Sequence, residues 1–150
     1  MSIQAEADLI LKLYDLRREA TMRTARDWFF REFNPQSFDE VKKILFGDHS
    51  GHMRMVLTYW DMAAGLVNHG AISPDLFNDT NGEHFAVFAK IEPFIAPWRE
   101  AFGPQLMANL EKLIDATPDG RKRAARIREM LKKVPAELAS KQAKSRKHRD

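Results

Sequence analysis

The sequence predicts an all-α fold, and three observations carry that expectation. Apolar side chains recur every three to four positions over most of the chain. No stretch alternates apolar with polar residues as a half-buried strand does, and no hairpin signal separates two apolar runs. The glycines are scattered at the starts and ends of the periodic segments. The expected architecture is a compact bundle of about six to seven helices: a long first helix, a central helix at about 53–68, a kinked aromatic helix at about 83–102 and a basic C-terminal helix.

The first helix is expected over 4–33, a span without Gly or Pro. Leu9, Leu13, Leu16 and Ala20 repeat at helical spacing before the aromatic cluster of Trp28, Phe29, Phe30 and Phe33. Asp15, Glu19, Arg23, Asp27 and Arg31 lie four apart, which suits a solvated face. Asn34-Pro35 ends that helix. Ser37-Phe38-Asp39-Glu40 has capping-box form, and Gly47 can close the short helix it opens.

The central helix has three stripes. Met53, Val56, Leu57, Trp60, Ala63, Ala64 and Val67 form one apolar face, and Met55, Tyr59, Met62 and Leu66 a second. Arg54, Thr58, Asp61, Gly65 and Asn68 are left as a thin polar ridge. Such a helix packs between neighbours, and Asp61 is expected to face solvent on its ridge, the alternative being burial against Arg54 or a distant arginine. Gly65 implies close approach of another backbone.

His69-Gly70 stops this helix, and Ser73-Pro74-Asp75 has the order of an N-cap followed by proline at the first helical position. Thr80-Asn81-Gly82-Glu83 is a second capping-box candidate, opening a helix in which Phe88, Ile91, Ile95, Trp98 and Phe102 keep a three-four repeat. Pro93 and Pro97 each free a carbonyl four residues earlier, so a kink or break is expected near Glu92. Gly103-Pro104 precedes a short helix with Leu106, Leu110, Leu113 and Ile114. Thr117-Pro118-Asp119 repeats the start signal for a last helix that aligns Ile127, Met130, Leu131, Val134 and Leu138, with Pro135 a possible split and fraying expected after Ser140. The expected domains are a helical core at 1–117 and a basic helix with a frayed tail at 118–150.

The 150 residues are 44% apolar and 30% charged, and no apolar run nears the roughly 20 residues a membrane-spanning helix needs. The N-terminus lacks the basic start and apolar middle of a signal peptide, and the absence of cysteine excludes disulfides and thiolate chemistry. A cytoplasmic setting is expected. Charge is divided unevenly: residues 1–120 hold 12 Lys+Arg against 18 Asp+Glu, a balance of −6, whereas residues 121–150 hold 12 against 3, a balance of +9. A basic arm on an acidic body suits a nucleic-acid arm, a membrane-surface arm, or a helix lying on its own protein.

Residues 53–100 resemble a widespread bacterial helical family of unknown function. The elements that carry the resemblance are Trp60-Asp61, the small-residue stretch Leu66 to Gly70, the turn Ile72 to Phe77, and the aromatic helix Phe88 to Arg99 closing in Pro-Phe-Ile and arginine. The resemblance implies a helical fold and supplies no activity. Many members carry an N-terminal membrane anchor, which is not expected in these 150 residues because no apolar run is long enough.

Little in the sequence points to chemistry. In Asp48-His49-Ser50-Gly51-His52, His49 and His52 could share a metal ion, with His69 or Glu83-His84 completing the shell, and a metal-dependent enzyme is the reading this would support; Asp and Ser before a helix equally serve as caps. No Glu-x-x-His pair recurs on the core helices, no nucleophile elbow surrounds Ser50, and no glycines mass into a phosphate cradle. No catalytic residue and no cofactor are therefore assigned. The aromatic stripe reads as core, with any surplus marking an interface. Arg121, Lys122, Arg123, Arg126, Lys141, Lys144, Arg146, Lys147 and Arg149 are the candidates for binding a polyanion such as nucleic acid without reading its sequence, although no aromatics interleave them for base stacking. The leading expectation is a non-enzymatic binding or scaffolding module that self-associates, as a dimer, through its amphipathic first or last helix.

Overall fold

The computed structural model describes residues 2–148, with side chains throughout that span except at 134–144 and 146. Among the described residues all regular structure is helical. The order is α1 (Ile3–Arg17), α2 (Ala20–Glu32), α3 (Phe38–Leu45), α4 (Ser50–Asn68), α5 (Pro74–Thr80), α6 (Glu83–Ile91), a 3-10 turn (Glu92–Phe94), α7 (Ile95–Phe102), α8 (Ala108–Ala116) and α9 (Gly120–Lys147). The all-α class and the central and kinked helices are as the sequence predicts.

The expected single helix over 4–33 is two. Glu19 leaves helical geometry with ψ 144°, and its carboxylate accepts from the Thr21 and Met22 N–H groups, so a side chain read as part of a solvated ridge is the N-cap of α2. The break turns the apolar stripe: Ile10 and Leu13 are buried, while Leu16 and Ala20 are exposed. Further along α2, Asp27 and Arg31 do pair across one turn.

Several ends follow their signals. Ser37 accepts from the Glu40 N–H, though Glu40 reaches back one residue further than a capping box requires, to the Gln36 N–H. Gly70, at φ +87°, closes α4: its N–H meets the Val67 carbonyl and the Ala71 N–H meets that of Leu66, the Schellman pattern. Ser73 and Pro74 start α5, and the break at Glu92 falls where Pro93 places it. Other signals fail. Gly82, not Thr80, occupies the N-cap of α6, because the Thr80 hydroxyl turns back to the Leu76 carbonyl and Glu83 is engaged elsewhere. Phe102, placed on the core repeat, is half exposed. The backbone of α9 stays helical through Pro135 and on to Lys147, where a split and fraying were expected.

α4 is the hub. The seven residues of its first apolar face are all buried, and it packs most extensively on α2 and α8 while touching α3, α5 and α6. Of the second face, Met62 is half exposed. α9 lies across α6 and α8, and its own Ala124 is buried. Its start leaves no room for a side chain: a Cβ on Gly120 would stand 2.1 Å from the Ile114 carbonyl oxygen.

The polar ridge of α4 is not a solvated stripe. Arg54 and Thr58 are exposed, but Asp61, Gly65 and Asn68 face α8. α8 begins after Met107, a buried residue in the left-handed region at φ 55°, which supplies no side-chain cap. Asp61 does that work from another helix. It accepts from the Leu110 N–H at 2.9 Å, one of the four donors a helix start leaves unpaired, and from Asn109 Nδ2 at 3.3 Å. Its negative charge also sits at the positive end of the α8 dipole. Neither Arg54 nor a distant arginine partners it among the described contacts. At Gly65 the close neighbour is the Asn109 side chain, whose Nδ2 would lie 3.3 Å from a Cβ, so the space serves a side chain and not a bare backbone. Asp61→Ala is expected to cost about 1–3 kcal/mol by leaving the Leu110 donor unpaired; urea unfolding measures it, and Asp61→Asn, which keeps an acceptor oxygen, should cost less.

Candidate functional site

Four places could carry chemistry or binding: the histidine loop, a buried Glu83 centre, the basic arm and the outer face of α1. In the loop, the His49 ring stacks on Trp28 at 5.1 Å with an interplanar angle of 15°, and His52 lies 6.1 Å from the same indole. The rings are 5.7 Å apart; His49 packs flat on Trp28, whereas His52 meets it tilted by 48°. No group of three or more His, Asp or Glu side chains among the described residues is arranged to hold a metal ion, so His69, Glu83 and His84 do not complete a shell around His49 and His52.

Glu83 gathers three helices. Arg26 on α2 holds its carboxylate in a fork, with Nη2 at 2.7 Å from Oε1 and Nε at 2.9 Å from Oε2, and the Trp60 indole N–H on α4 donates to Oε2 at 2.9 Å. The ion pair is mostly buried, with side-chain exposures of 26% and 16%. A planar guanidinium and a carboxylate satisfy each other geometrically here, which leaves Glu83 spent as a proton carrier.

Beside it, His84 is fully buried among Trp60, Phe77 and Phe85. Its tautomer follows from a chain of bonds. The Thr117 hydroxyl donates to the Leu113 carbonyl, so its oxygen accepts from Asn78 Nδ2; Asn78 Oδ1 then faces His84 Nε2 at 2.9 Å, and Nε2 carries the hydrogen. Nδ1 is left without a partner. Thr117, read as a helix-start residue, is thus the anchor of this chain. Burial first, and then the charges of Arg123 and Arg17, push the His84 imidazole down to about 3.

Three arginines in the described part of the basic arm, Arg121, Arg123 and Arg128, are committed to their own protein. Arg121 meets Asp115 through Nε at 2.6 Å, Glu92 through Nη1 at 2.9 Å and Glu111 through Nη2 at 3.0 Å, and lies over the Phe88 ring. Glu111 also binds Arg99, and Glu92 also binds Arg128, so three acids and three arginines form one network across the 3-10 turn, α7, α8 and α9. Arg123 stands 4.0 Å over the Phe85 ring. Lys122 and Arg126 remain exposed, Lys122 within 3.8 Å of Asp119. Lys147 is exposed in the last turn of α9; the side chains of Lys141, Lys144 and Arg146, and all of Arg149, lie outside the described residues.

Sequence reasoning missed the outer face of α1, the Glu83 centre and the trans-acting charges. Only the first left a local trace: Ile3, Ala7, Leu11 and Tyr14 are spaced four, four and three apart, a second apolar stripe beside the core-facing one.

The chain belongs to a family defined as a domain of unknown function (DUF4760), whose model matches residues 2–117. The match reaches well beyond residues 53–100. No characterised protein and no solved structure is similar to the chain at a significant level. No helix among the described residues is long and apolar enough to cross a membrane.

His84 predicts the acid limb of stability. Its folded value is depressed from 6.5 to about 3, so below 6.5 the unfolded chain takes a proton that the folded chain refuses. The stability this histidine contributes is complete above 6.5 and falls by about 1.4 kcal/mol per pH unit toward 3. Urea midpoints between pH 7 and 4 should show this fall, and His84→Gln should flatten it.

Proposed function

We propose that this member of a family without an assigned activity is a non-enzymatic helical binding module of the bacterial cytosol, which self-associates as a dimer through the outer face of α1. The observation that carries this reading is the concentration of uncovered apolar surface on one short helix. Ile3 is 63% exposed, Leu11 63%, Leu16 50% and Tyr14 47%, four of the eight large apolar side chains that face solvent among the described residues. Ile3, Leu11 and Tyr14 share the stripe, with Ala7 between them. On the described part of α9 only Met130 is comparably bare, which favours the first helix over the last.

A second copy is the occupant that the rim favours. Asp8, Lys12 and Asp15 stand exposed on α1 and Arg18 just after it, so an antiparallel pairing sets acids of one copy near bases of the other. The helix is only about 22 Å long. An interface built on it alone is small, and weak, micromolar association is the expected regime. The buried charges support the non-enzymatic part, since Asp61, Glu83 and Arg26 each have their hydrogen-bonding capacity taken by structural partners.

Sedimentation equilibrium at micromolar concentration should give a mass near that of two chains, and Leu11→Glu should return a monomer with an unchanged melting curve. A wild-type chain that stays monomeric into the sub-millimolar range overturns the assembly.

The alternative, a nucleic-acid arm, keeps Lys122, Arg126 and Lys147 as exposed cations among the described residues, Lys122 3.8 Å from Asp119. Deleting residues 121–150 is a poor test of it, because removing α9 uncovers the face formed by Phe85, Phe88 and Ala89. The double substitution Lys122→Glu/Arg126→Glu leaves the docked arginines in place. Under the reading proposed here neither protein binds single-stranded DNA at physiological salt; binding by the wild type that steepens as salt falls and disappears in the double variant would favour the arm instead.

A further inference from the structure

We propose that the cleft bounded by α2, α6 and α9 binds a small amphipathic anion, a single carboxylate-like head on an apolar tail. The cleft has a volume of about 610 Å³, within the range of small-molecule sites. Its walls are mainly apolar, with Phe33, Pro35, Pro93, Phe94 and Leu131 joined by the amides of Asn34 and Gln36. Its charged lining is of one sign, Lys90, Arg128 and Lys132, and no Asp or Glu lines it. An apolar cavity with cations on one side is complementary to a molecule with one negative end.

The three cations differ in how firmly they are held. Lys90 is fixed. Its ammonium donates to the Phe29 carbonyl at 2.7 Å, the Phe33 carbonyl at 2.8 Å and the Phe30 carbonyl at 3.2 Å, the open end of α2, so it brings a full charge balanced only by dipoles. Burial pulls it down to about 8, which leaves it charged at neutral pH. Arg128 is half committed. Pro93 has no N–H to give the Ala89 carbonyl, and Arg128 Nε fills that place at 2.7 Å while Nη2 binds Glu92, so Nη1 remains for a ligand. Lys132 is the mobile one: its pairing with Glu129, at 3.2 Å between two side chains about two-thirds exposed, is weak enough to exchange for a ligand. A fixed charge, a guanidinium edge and a swinging lysine around an apolar floor suit one anionic group and a tail. A cleft of about 610 Å³ suits a small molecule rather than a folded partner.

Decanoate is a suitable probe, with decanol and decyltrimethylammonium as controls of equal tail length. Titration calorimetry should show one site per chain, with decanoate at least about tenfold tighter than either control, the factor a single favourable charge contact supplies. Amide shift changes in the NMR spectrum should centre on Lys90, Phe94 and Leu131. Lys132→Glu should weaken decanoate by roughly three- to tenfold without moving the thermal midpoint, and Leu131→Trp, which fills the cleft, should abolish binding. Equal affinity for decanol, or decanoate binding that survives both substitutions, overturns the proposal. None of the lining residues belongs to α1, so Leu11→Glu should bind decanoate as the wild type does; the site and the self-association thus fail or stand separately.

Discussion

The constraint on which this fold depends is the pairing of backbone groups at its helix ends. Nine α-helices and a 3-10 turn lie within the described residues, and each α-helix leaves donors at its start and acceptors at its finish without intrahelical partners. A bundle of short helices brings many such ends into its interior, where an unpaired group costs as much as a lost core contact. Here charged side chains from other elements meet them. Asp61 of α4 pairs the start of α8, Lys90 of α6 the finish of α2, Arg128 of α9 the carbonyl that Pro93 strands, and Arg99 of α7 the Leu106 carbonyl in the turn before α8. At α5, the N–H of its cap Ser73 goes to Glu6 of α1.

This arrangement explains why the half-buried ions between the helices offer little chemistry. A carboxylate that accepts several N–H groups, or an ammonium ringed by carbonyls, is held in one geometry with its hydrogen bonds taken. Such groups are unsuited to passing protons. Burial of ions in this way is costly unless every lone pair and hydrogen finds a partner. Glu83 meets that condition with four bonds to Arg26 and Trp60, whereas His84 avoids it by staying neutral. What is left for function is surface: the bare stripe of α1, and the cleft where Lys90 and Arg128 meet Lys132.

How much of this was legible in the sequence depends on whether the deciding interaction is local. The apolar face of α4 is set by spacing alone, and all seven of its predicted members are buried. Gly70, Pro74 and Pro93 act within a few residues of their own positions, and their effects fall where the sequence places them. The break between α1 and α2 has a local cause too, but Glu19 looks like any helical glutamate until its carboxylate is seen on Thr21 and Met22. Asp61 marks the limit. Helical spacing says that it lies on a polar ridge, and says nothing of whether water or another helix faces that ridge. Its partner Leu110 is 49 residues away. Pro93 makes the need of the Ala89 carbonyl readable, yet that Arg128 supplies the donor is settled only by the way α9 lies on α6.

The split charge of the chain resolves along the same lines. α9 falls beyond the stretch that the family model matches, while the surface it covers, Phe85, Phe88 and Ala89 on α6, falls within it. The cations that dock are arginines: Arg121 bridges three acids and stacks on Phe88, Arg123 stacks on Phe85, and Arg128 divides itself between a carbonyl and Glu92. Lys122 and Lys132 stay outward, as does Arg126. A guanidinium offers several donors in a plane and an apolar face, so it can bind acids and cover a phenyl ring at once, which an ammonium cannot. The arginines of the docked segment therefore hold α9 to its own acidic body, and the excess of positive charge that makes the chain basic resides in the part of the helix that follows.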